Sequence, residues 1–380
     1  MLADHTVDLG TAPFWFAALA ALVVIVPIAH ARARAVAIAA FDLGFACALA
    51  GWAGAPYVLA VVAACHVLAQ LAARRLAVAA FAVLLAALFV VHKLPQLELP
   101  GGARGALVAI GFSYVLLRAI DMLRALAEGR HAPPALDGTI AYLVPFHMLA
   151  AGPIQAYDDF RAQPAVPAPL TTATALDGME RIASGLFKKF VIAQAIQLAL
   201  LTGFAAGGAY ALLEVQAYCI WVYLDFSAYS DIAVGLGILL GRATPENFAR
   251  PLLARNITEF WERWHISLSQ FIRRNLFVPI QLALGRRTDG AHPLATASIA
   301  IGVAFVACGL WHGLSLRFVA WGALHAAALI ATNAYRHVLL KKLGKRGVRA
   351  YLARPVVRAT ATALTFEFIA FSLALVVYPF

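Results

Sequence analysis

Residues 292–313 read HPLATASIAIGVAFVACGLWHG, a run of apolar and small residues that ends in a Trp-His pair. A transmembrane helix needs about 20 predominantly apolar residues, so this stretch is long enough to cross a bilayer. An ionisable side chain beside such a run is costly in a membrane and marks a functional site by default. The stretch therefore predicts a membrane helix that carries His312 at or near a functional site.

The rest of the chain has the same character. It is 380 residues long, 63% hydrophobic and only 13% charged, with a mean hydropathy of +0.81, which excludes an ordinary soluble globular protein. We expect an all-α polytopic membrane protein of roughly ten transmembrane helices, with re-entrant helices at 138–152 or 227–241 and an interfacial helix. The remaining apolar runs lie at 12–29, 35–52, 55–73, 76–91, 104–126, 186–203, 209–224, 316–335 and 356–378.

The formal net charge of +11 does not point to nucleic acid, because the basic residues follow alternate apolar runs. Arg32 and Arg34, Arg74 and Arg75, and Arg124 and Arg130 do so, and the intervening ends carry few or none. This alternation is the positive-inside pattern, and it predicts an external N-terminus with contact between the basic loops and lipid headgroups. The first run lacks a basic segment before it, so we do not expect a cleaved signal peptide.

We expect one domain over 1–380. Residues 1–103 have few internal polar groups and predict a plain helical scaffold, whereas polar and charged residues enter the apolar runs over 104–335. A basic loop and a last helix follow over 336–380. The Pro-rich segment 153–180 predicts a surface loop. The chemistry is therefore expected in the second half of the chain.

The segment 256–274, NITEFWERWHISLSQFIRR, has apolar residues at helical spacing on one side and polar residues on the other. This pattern predicts one continuous amphipathic helix lying in the membrane interface. Asn256 is placed to cap its N-terminus, and Glu259 three residues later completes a capping-box pattern. His265 falls on the buried side of this helix.

The residues alone leave two interpretations of the histidines open. His265 and His312 are each preceded by Trp, and each is either a hydrogen-bonded structural residue or a group that moves a proton. Gly309 and Gly313 flank the second pair and permit close helix packing or a local break. For His325 the structural interpretation is favoured. The four cysteines show no metal-ligand spacing, and no His, Cys or carboxylate cluster does either, so neither a metal nor a bound cofactor is predicted.

Several blocks of sequence are similar to those of a known family. They are GFSYVLLRAID (111–121), AAGPIQAYDDF (150–160), YLDFSAYSDIAVG (223–235), NFARPLLARNITEFWERWHISLS (247–269) and GLWHGLSLRFVAWGALH (309–325). In this order they resemble the membrane-bound O-acyltransferase (MBOAT) family, in its bacterial branch of alginate O-acetylation and D-alanyl transfer proteins.

The resemblance implies an MBOAT fold and transfer of an acyl group, most simply acetyl, onto a hydroxyl inside a membrane funnel. The family's invariant histidine matches His312, and its second conserved position matches His265, so both are predicted to be catalytic. The adjoining residues of the matching blocks are candidates for lining the substrate tunnel, namely Trp311, Trp264, Asp225, Tyr229, Asp231 and Asn247. Holding both substrates in a water-poor conduit favours acyl transfer over hydrolysis of the donor.

The substrates stay open at this stage. The implied donor is acetyl-CoA or an acyl carrier protein on the cytoplasmic side of a bacterial inner membrane. The implied acceptor is an extracytoplasmic glycan, reached directly or through a partner acetyltransferase. Ala228 and the lack of Gly-Gly after Pro279 depart from the alginate-type pattern. Transfer of D-alanyl or another carrier-linked acyl group is therefore an alternative, and a transporter without covalent chemistry is a third.

Overall fold

The structure is a computed structural model, and it describes residues 9, 11–71, 90, 103–109, 111–149, 151–201 and 211–377. Over these residues the chain is helical and forms no strand, apart from one isolated bridge between Phe248 and Trp264. Six described helices are long and apolar enough to cross a membrane, and they are Ala31–Gln70, Thr172–Leu200, Leu212–Leu240, Pro293–His312, Leu316–Ala353 and Pro355–Val377. The prediction of an all-α polytopic membrane protein is confirmed.

The helices follow one another with few long connections. The first eight are α1 (Ala12–Ile25), α2 (Ala31–Gln70), α3 (Ala103–Ala109), α4 (Phe112–Ala127), α5 (Leu136–Leu143), α6 (Tyr157–Arg161), α7 (Thr172–Phe187) and α8 (Gln194–Leu200). The others are α9 (Ala211–Leu240), α10 (Ile257–Arg263), α11 (Ile266–Ile272), α12 (Val278–Arg287), α13 (Pro293–His312), α14 (Leu316–Ala353) and α15 (Pro355–Val377). Two π-helical segments, Lys188–Ala193 and Arg273–Phe277, join α7 to α8 and α11 to α12.

Several predicted runs differ from the observed helices. The runs 209–224 and 227–241 form the single helix α9, so the re-entrant prediction at 227–241 is wrong. No Gly or Pro separates the two runs, and a polar Asp-Phe-Ser sequence does not by itself end a helix. The run 138–152 contains only α5 and a short 3-10 helix. The run 104–126 is divided at Gly111, whose φ of 57° only glycine adopts readily. The run 76–91 lies almost wholly outside the described residues.

The Pro-rich segment is shorter than predicted. The loop between α6 and α7 covers only residues 162–171, because α7 starts at Thr172 within the predicted loop. Thr171 caps this helix, and its side chain and that of Thr174 each accept a bond from the other residue's backbone N–H. Such a reciprocal capping box favours a helix start even inside a polar stretch.

The chain divides into two compact units. The first consists of residues 1–190 and 225–246, and the second of residues 191–224 and 247–380. The expectation of a single domain stays a prediction.

Buried charged groups hold the first unit together. The guanidinium of Arg118, on α4, is wholly buried and donates to the carbonyl oxygens of Leu143 and Met148. Asp42, also buried, accepts hydrogen bonds from the Phe146 backbone N–H and from Arg242, whose Nη1 lies 2.9 Å from Oδ2. Buried charges need such partners, because unpaired charge is expensive in an apolar interior. These bonds tie the irregular segment after α5 to the surrounding helices.

Two glycines bring α13 and α14 together in the second unit. A Cβ atom on Gly309 would lie 2.1 Å from the Phe318 carbonyl oxygen, and one on Gly322 would lie 2.3 Å from that of Phe305. Only a hydrogen atom fits at these two crossings, so the helix backbones are in direct contact. The close packing predicted for Gly309 is thereby confirmed, and α13 ends at His312, with Gly313 as its extended C-cap.

Candidate functional site

The predicted continuous helix over 256–274 is broken at its histidine. α10 ends at Arg263, Trp264 is extended, and His265 has φ 43° and ψ 52° before α11 begins. This left-handed conformation is uncommon for a residue with a side chain and costs on the order of 1–3 kcal/mol, although histidine adopts it more readily than most. The prediction of one uninterrupted helix is therefore wrong, and the break occurs at a residue that was predicted to be functional.

Backbone pairing with residues 247–249 holds this break in place. The Ala249 N–H donates to the Arg263 carbonyl oxygen at 2.9 Å, and the Ile266 N–H donates to the Asn247 carbonyl oxygen at 3.0 Å. These two bonds lie on either side of the isolated antiparallel bridge between Phe248 and Trp264. Helical periodicity could not reveal this bridge, because the competing partner lies outside the amphipathic segment.

The side chain of Asn247 completes the arrangement around His265. Its Oδ1 lies 3.1 Å from His265 Nδ1, 2.8 Å from Ser267 Oγ and 3.2 Å from the Ser267 backbone nitrogen. Asn247, His265 and Ser267 are all buried. The predicted site residues Asn247 and His265 are thus brought into direct contact.

The start of α10 has the predicted cap at Asn256 but a different environment at Glu259. The Asn256 side chain caps the helix by accepting the Glu259 N–H at 2.9 Å, which confirms the predicted cap. Glu259, which was placed on the polar face, is instead largely buried and forms ion pairs with Arg255 and Arg263. Burial alone would raise the pKa of Glu259, but hydrogen bonds from Arg255 hold it below its ordinary value.

His312 lies at the C-terminal end of α13 among aromatic rings. It is partly exposed, and its ring centroid lies 4.7 Å from that of Trp311, 5.4 Å from Trp321 and 6.5 Å from Phe318. Trp264, the tryptophan before the other histidine, packs separately against Tyr223, Phe248 and Phe260. Trp311 thus packs against its own histidine, whereas Trp264 belongs to a cluster with Tyr223, Phe248 and Phe260.

The two histidines interact electrostatically. His265 lies between α10 and α11, outside the six candidate membrane helices, and is completely buried. This burial, with a smaller contribution from the charge of His312, lowers the pKa of His265 to about 3. His265 is therefore neutral at physiological pH and a weak proton acceptor.

His325 is a structural residue by its contacts. The Trp261 Nε1–H donates to His325 Nδ1 at 3.2 Å, which places the imidazole proton on Nε2. Nε2 in turn lies 3.1 Å from Ser372 Oγ, and that hydroxyl donates to the Ile369 carbonyl oxygen at 2.8 Å. Both ring nitrogens are thus engaged in fixed bonds between α10, α14 and α15. These contacts agree with the structural interpretation of His325, which stays a prediction.

The acidic tunnel candidates belong to the first unit, as does Tyr229, which is buried. Asp225 forms an ion pair with Lys189, and Asp231 forms two, with Lys188 Nζ at 2.5 Å and Arg181 Nε at 2.7 Å. In these contacts both carboxylates act as structural anchors. The structure thus places Asp225, Tyr229 and Asp231 together in the first unit.

The cations that bind these carboxylates were not predicted from the sequence. Lys188 and Lys189 interrupt the apolar run at 186–203, and they lie in the π-helical segment that follows α7. A pair of charges inside an apolar run is itself a signal of buried partners. Ser267, inside the HISLS block, was missed because serine is common on polar helix faces and its role depends on the chain break beside it.

Comparison with known proteins agrees with these features. The family model described as MBOAT, membrane-bound O-acyltransferase family, matches residues 73–374, which is most of the chain. A protein of Pseudomonas fluorescens named "Probable alginate O-acetylase AlgI" is 33% identical over 236 residues, which cover 60% of this chain and 45% of that protein. The chain therefore spans somewhat less than half the length of this relative.

Two further relatives carry different names. The teichoic acid D-alanyltransferase of Bacillus subtilis is 27% identical over 276 residues, covering 69% of this chain and 67% of the relative. The peptidoglycan O-acetyltransferase of Helicobacter pylori is 37% identical over 163 residues, covering 41% and 29%. Because the family model covers well over half of the sequence, this multi-pass membrane protein belongs to the membrane-bound O-acyltransferase family.

Proposed function

We propose that this protein is an O-acyltransferase that moves an acyl group, most simply acetyl, from a thioester to a hydroxyl of an extracytoplasmic polysaccharide. The proposal rests on a neutral, buried His265 and a partly exposed His312 whose charge acts on it. Family membership and the names of the relatives support acyl transfer as the class of reaction.

The two histidines differ in the chemistry that they suit. His312 ends α13, and the partial negative charge at a helix C-terminus stabilises a cation formed there. His265 is fully buried, and its lowered pKa makes it a poor base but still a hydrogen-bond acceptor. We therefore assign the general base to His312, and to His265 the task of orienting the substrate hydroxyl.

The proposed reaction passes through one tetrahedral intermediate. His312 takes the proton of the polysaccharide hydroxyl. The hydroxyl oxygen attacks the thioester carbonyl carbon at the same time and forms a new C–O bond. The tetrahedral intermediate collapses, the C–S bond breaks, and the leaving thiolate takes the proton from the His312 imidazolium. The products are an O-acyl ester and a free thiol, and His312 is neutral again.

We further propose a donor, a cellular location and partners for this reaction. The donor is acetyl-CoA or an acyl carrier protein, used as a co-substrate on the cytoplasmic side of a bacterial inner membrane. The N-terminus is proposed to lie outside, and membrane lipids surround the helices. The acceptor is reached from outside, directly or through a partner acetyltransferase. Trp264, Trp311, Asn247, Asp225, Tyr229 and Asp231 remain candidates for lining the substrate path.

D-alanyl transfer is a second candidate, because the matched residues cover a larger share of the D-alanyltransferase than of the alginate relative. A carrier protein would need a cytoplasmic docking surface. Arg273 is exposed, and both it and Arg274 lie in the π-helical segment after α11. Charge reversal of both arginines should weaken acyl transfer from a carrier and leave the protein inserted. Unchanged transfer would remove the carrier proposal.

The test measures O-acyl esters on the surface polymers of cells lacking this gene, complemented with wild type, His312→Ala or His337→Ala. His337 is an exposed histidine on α14 and serves as the matched control. We expect wild type and His337→Ala to restore the esters, and His312→Ala to fail at equal membrane levels. Restoration by His312→Ala would reject the base assignment. Transport of a solute without any ester would favour the transporter.

A further inference from the structure

Asn247 is the most completely enclosed polar residue beside either predicted catalytic histidine. None of its surface is exposed, and its Oδ1 faces three nitrogen or oxygen atoms of His265 and Ser267 within 3.2 Å. A buried polar network of this kind specifies one arrangement of its members, because each alternative leaves a group without its hydrogen bond. The orientation of the Asn247 amide and the position of the His265 proton therefore follow from which atoms can donate a hydrogen bond.

The Ser267 backbone fixes the orientation of the Asn247 amide. A backbone N–H can only donate, and this one lies 3.2 Å from the Asn247 atom that faces it. That atom must therefore be the carbonyl oxygen, since the amide nitrogen would oppose one donor with another. The Ser267 hydroxyl donates to the same oxygen at 2.8 Å. The Asn247 side chain thus presents an acceptor to this corner of the site.

The same oxygen decides where the His265 proton lies. Nδ1 is 3.1 Å from Asn247 Oδ1, which has no proton to give, so Nδ1 carries the hydrogen atom and donates it. A neutral imidazole has one N–H, and His265 is neutral because it is fully buried. Its Nε2, which is also buried, therefore carries the lone pair. His325 has the opposite tautomer, because there Trp261 donates to Nδ1.

We infer that Asn247 is a positioning residue that holds His265 in the Nδ1–H tautomer, so that Nε2 can accept a hydrogen bond from the acceptor hydroxyl. The catalytic half of this statement rests on the proposed function, and the tautomer does not. The Asn247 backbone adds a second restraint, since its carbonyl oxygen accepts the Ile266 N–H next to the left-handed His265. One residue thereby sets both the backbone direction and the proton position of the histidine.

The first test reads the tautomer directly by nitrogen NMR of purified protein containing ¹⁵N-labelled histidine. The chain has 11 histidines, so the His265 signals are assigned by their loss in His265→Gln. We expect a protonated Nδ1 and an unprotonated Nε2 in wild type. A protonated Nε2 in wild type would overturn the inference, whatever the protein catalyses.

Variants then separate the side-chain oxygen from general packing. Asn247→Leu keeps the approximate size and the backbone bond but removes the acceptor, so the His265 tautomer should shift towards Nε2–H or become mixed. Asn256→Leu is the matched control, because it removes a helix cap at the other end of α10 and should leave the tautomer unchanged. A folded Asn247→Leu protein with an unchanged His265 spectrum would reject the positioning role.

Two milder variants serve if Asn247→Leu does not fold. Asn247→Asp retains an acceptor and adds a charge, so it should keep the Nδ1–H tautomer and raise the pH at which His265 takes its second proton. Ser267→Ala removes a competing donor from Oδ1 and should also keep the tautomer. Loss of the tautomer in both variants would contradict the inference.

Activity provides the last readout. Asn247→Leu should lower kcat on the order of 100-fold with a smaller change in KM, because a misdirected lone pair affects the reaction more than binding. Asn247→Asp should recover part of kcat with its acid limb moved to higher pH. Full kcat in Asn247→Leu with a switched tautomer would reject the catalytic half alone. Inactive wild type would reject the proposed function and leave the tautomer result standing.

Discussion

The buried anchors of the first unit and the histidine sites of the second satisfy their polar groups in different ways. The first uses charged groups, such as the buried Arg118 bound to carbonyl oxygens and the pair between Asp42 and Arg242. Around its histidines the second uses neutral groups, with Asn247 bound to His265 and Trp261 bound to His325. A paired buried charge is costly to disturb and suits an anchor. A neutral imidazole can exchange a proton with little rearrangement, so we place the chemistry among the neutral groups.

The largest expected effect comes from breaking a charged anchor. Asp42→Ala leaves the Arg242 guanidinium without the carboxylate it binds, and removal of one partner of a buried pair costs about 3–5 kcal/mol. We expect little folded protein in detergent extracts, measured by size exclusion and thermal unfolding.

Glu128→Gln is the control for this variant. It weakens the partly exposed pairs of Glu128 with Arg124 and Arg130, and such surface pairs contribute roughly 0–1 kcal/mol. Equal stability of the Asp42 and Glu128 variants would remove the distinction between anchored charges and surface charges.

Gly309→Ala tests whether close helix packing positions the neutral site. Its Cβ would overlap the Phe318 carbonyl oxygen, so α13 and α14 must separate, at a cost of about 1–3 kcal/mol. Because His312 ends α13, ester formation should fall further than stability does. Gly302→Ala is the matched control on the same helix, since nothing lies within 4 Å of its Cβ. Similar activity of the two variants would show that the crossing does not position His312.

His325→Leu tests the contrast between a structural histidine of the second unit and the two histidines that are proposed to be catalytic. The Trp261 N–H loses its acceptor, and a buried donor left without a partner costs about 1–3 kcal/mol. We expect a lower melting temperature, but an unchanged pH dependence of ester formation per folded molecule. A changed pH profile would mean that His325 takes part in the chemistry after all.

The smallest expected effect is an acid sensitivity that His265 adds to stability. Its pKa is about 3 in the folded protein, below the ordinary value of 6.5, so the unfolded chain binds more protons between these values. Stability should therefore be highest above pH 6.5 and fall as the pH is lowered, by on the order of 1 kcal/mol per pH unit. Thermal unfolding of wild type and His265→Gln between pH 7 and 5 measures this, and equal slopes would contradict it.

Much of the architecture follows from the apolar runs, because their length is set by the bilayer. The runs at 292–312 and 356–378 correspond closely to α13 and α15. The helix break at His265 could not be predicted from the same pattern. It depends on Asn247, which lies outside the amphipathic segment and replaces helical bonds with bonds to its own backbone and side chain. Periodicity reports which face of a segment is buried, but not where a competing partner interrupts it.

The candidate site residues also differ in how far their contacts could be predicted from the sequence. His265 and His312 were identifiable as candidates because ionisable groups are rare beside apolar runs, and the family resemblance adds the catalytic prediction. The ion pairs of Asp225 and Asp231 could not be predicted in this way. The partners Lys188 and Lys189 are adjacent in an apolar run, and which face of the helix each occupies depends on the π-helical segment in which they lie. A helix that is locally wider changes which face each lysine occupies, and no regular period predicts that change.

The pairing of residues 247–249 with 263–266 also makes the setting of the first histidine independent of the second in sequence. The hydrogen bonds named for the His265 backbone and ring join residues at most 20 positions apart. Contacts of this length require little chain to be closed. They use no residue of α13, which carries His312. The orientation of His265 is therefore encoded within residues 247–267, before α13 begins.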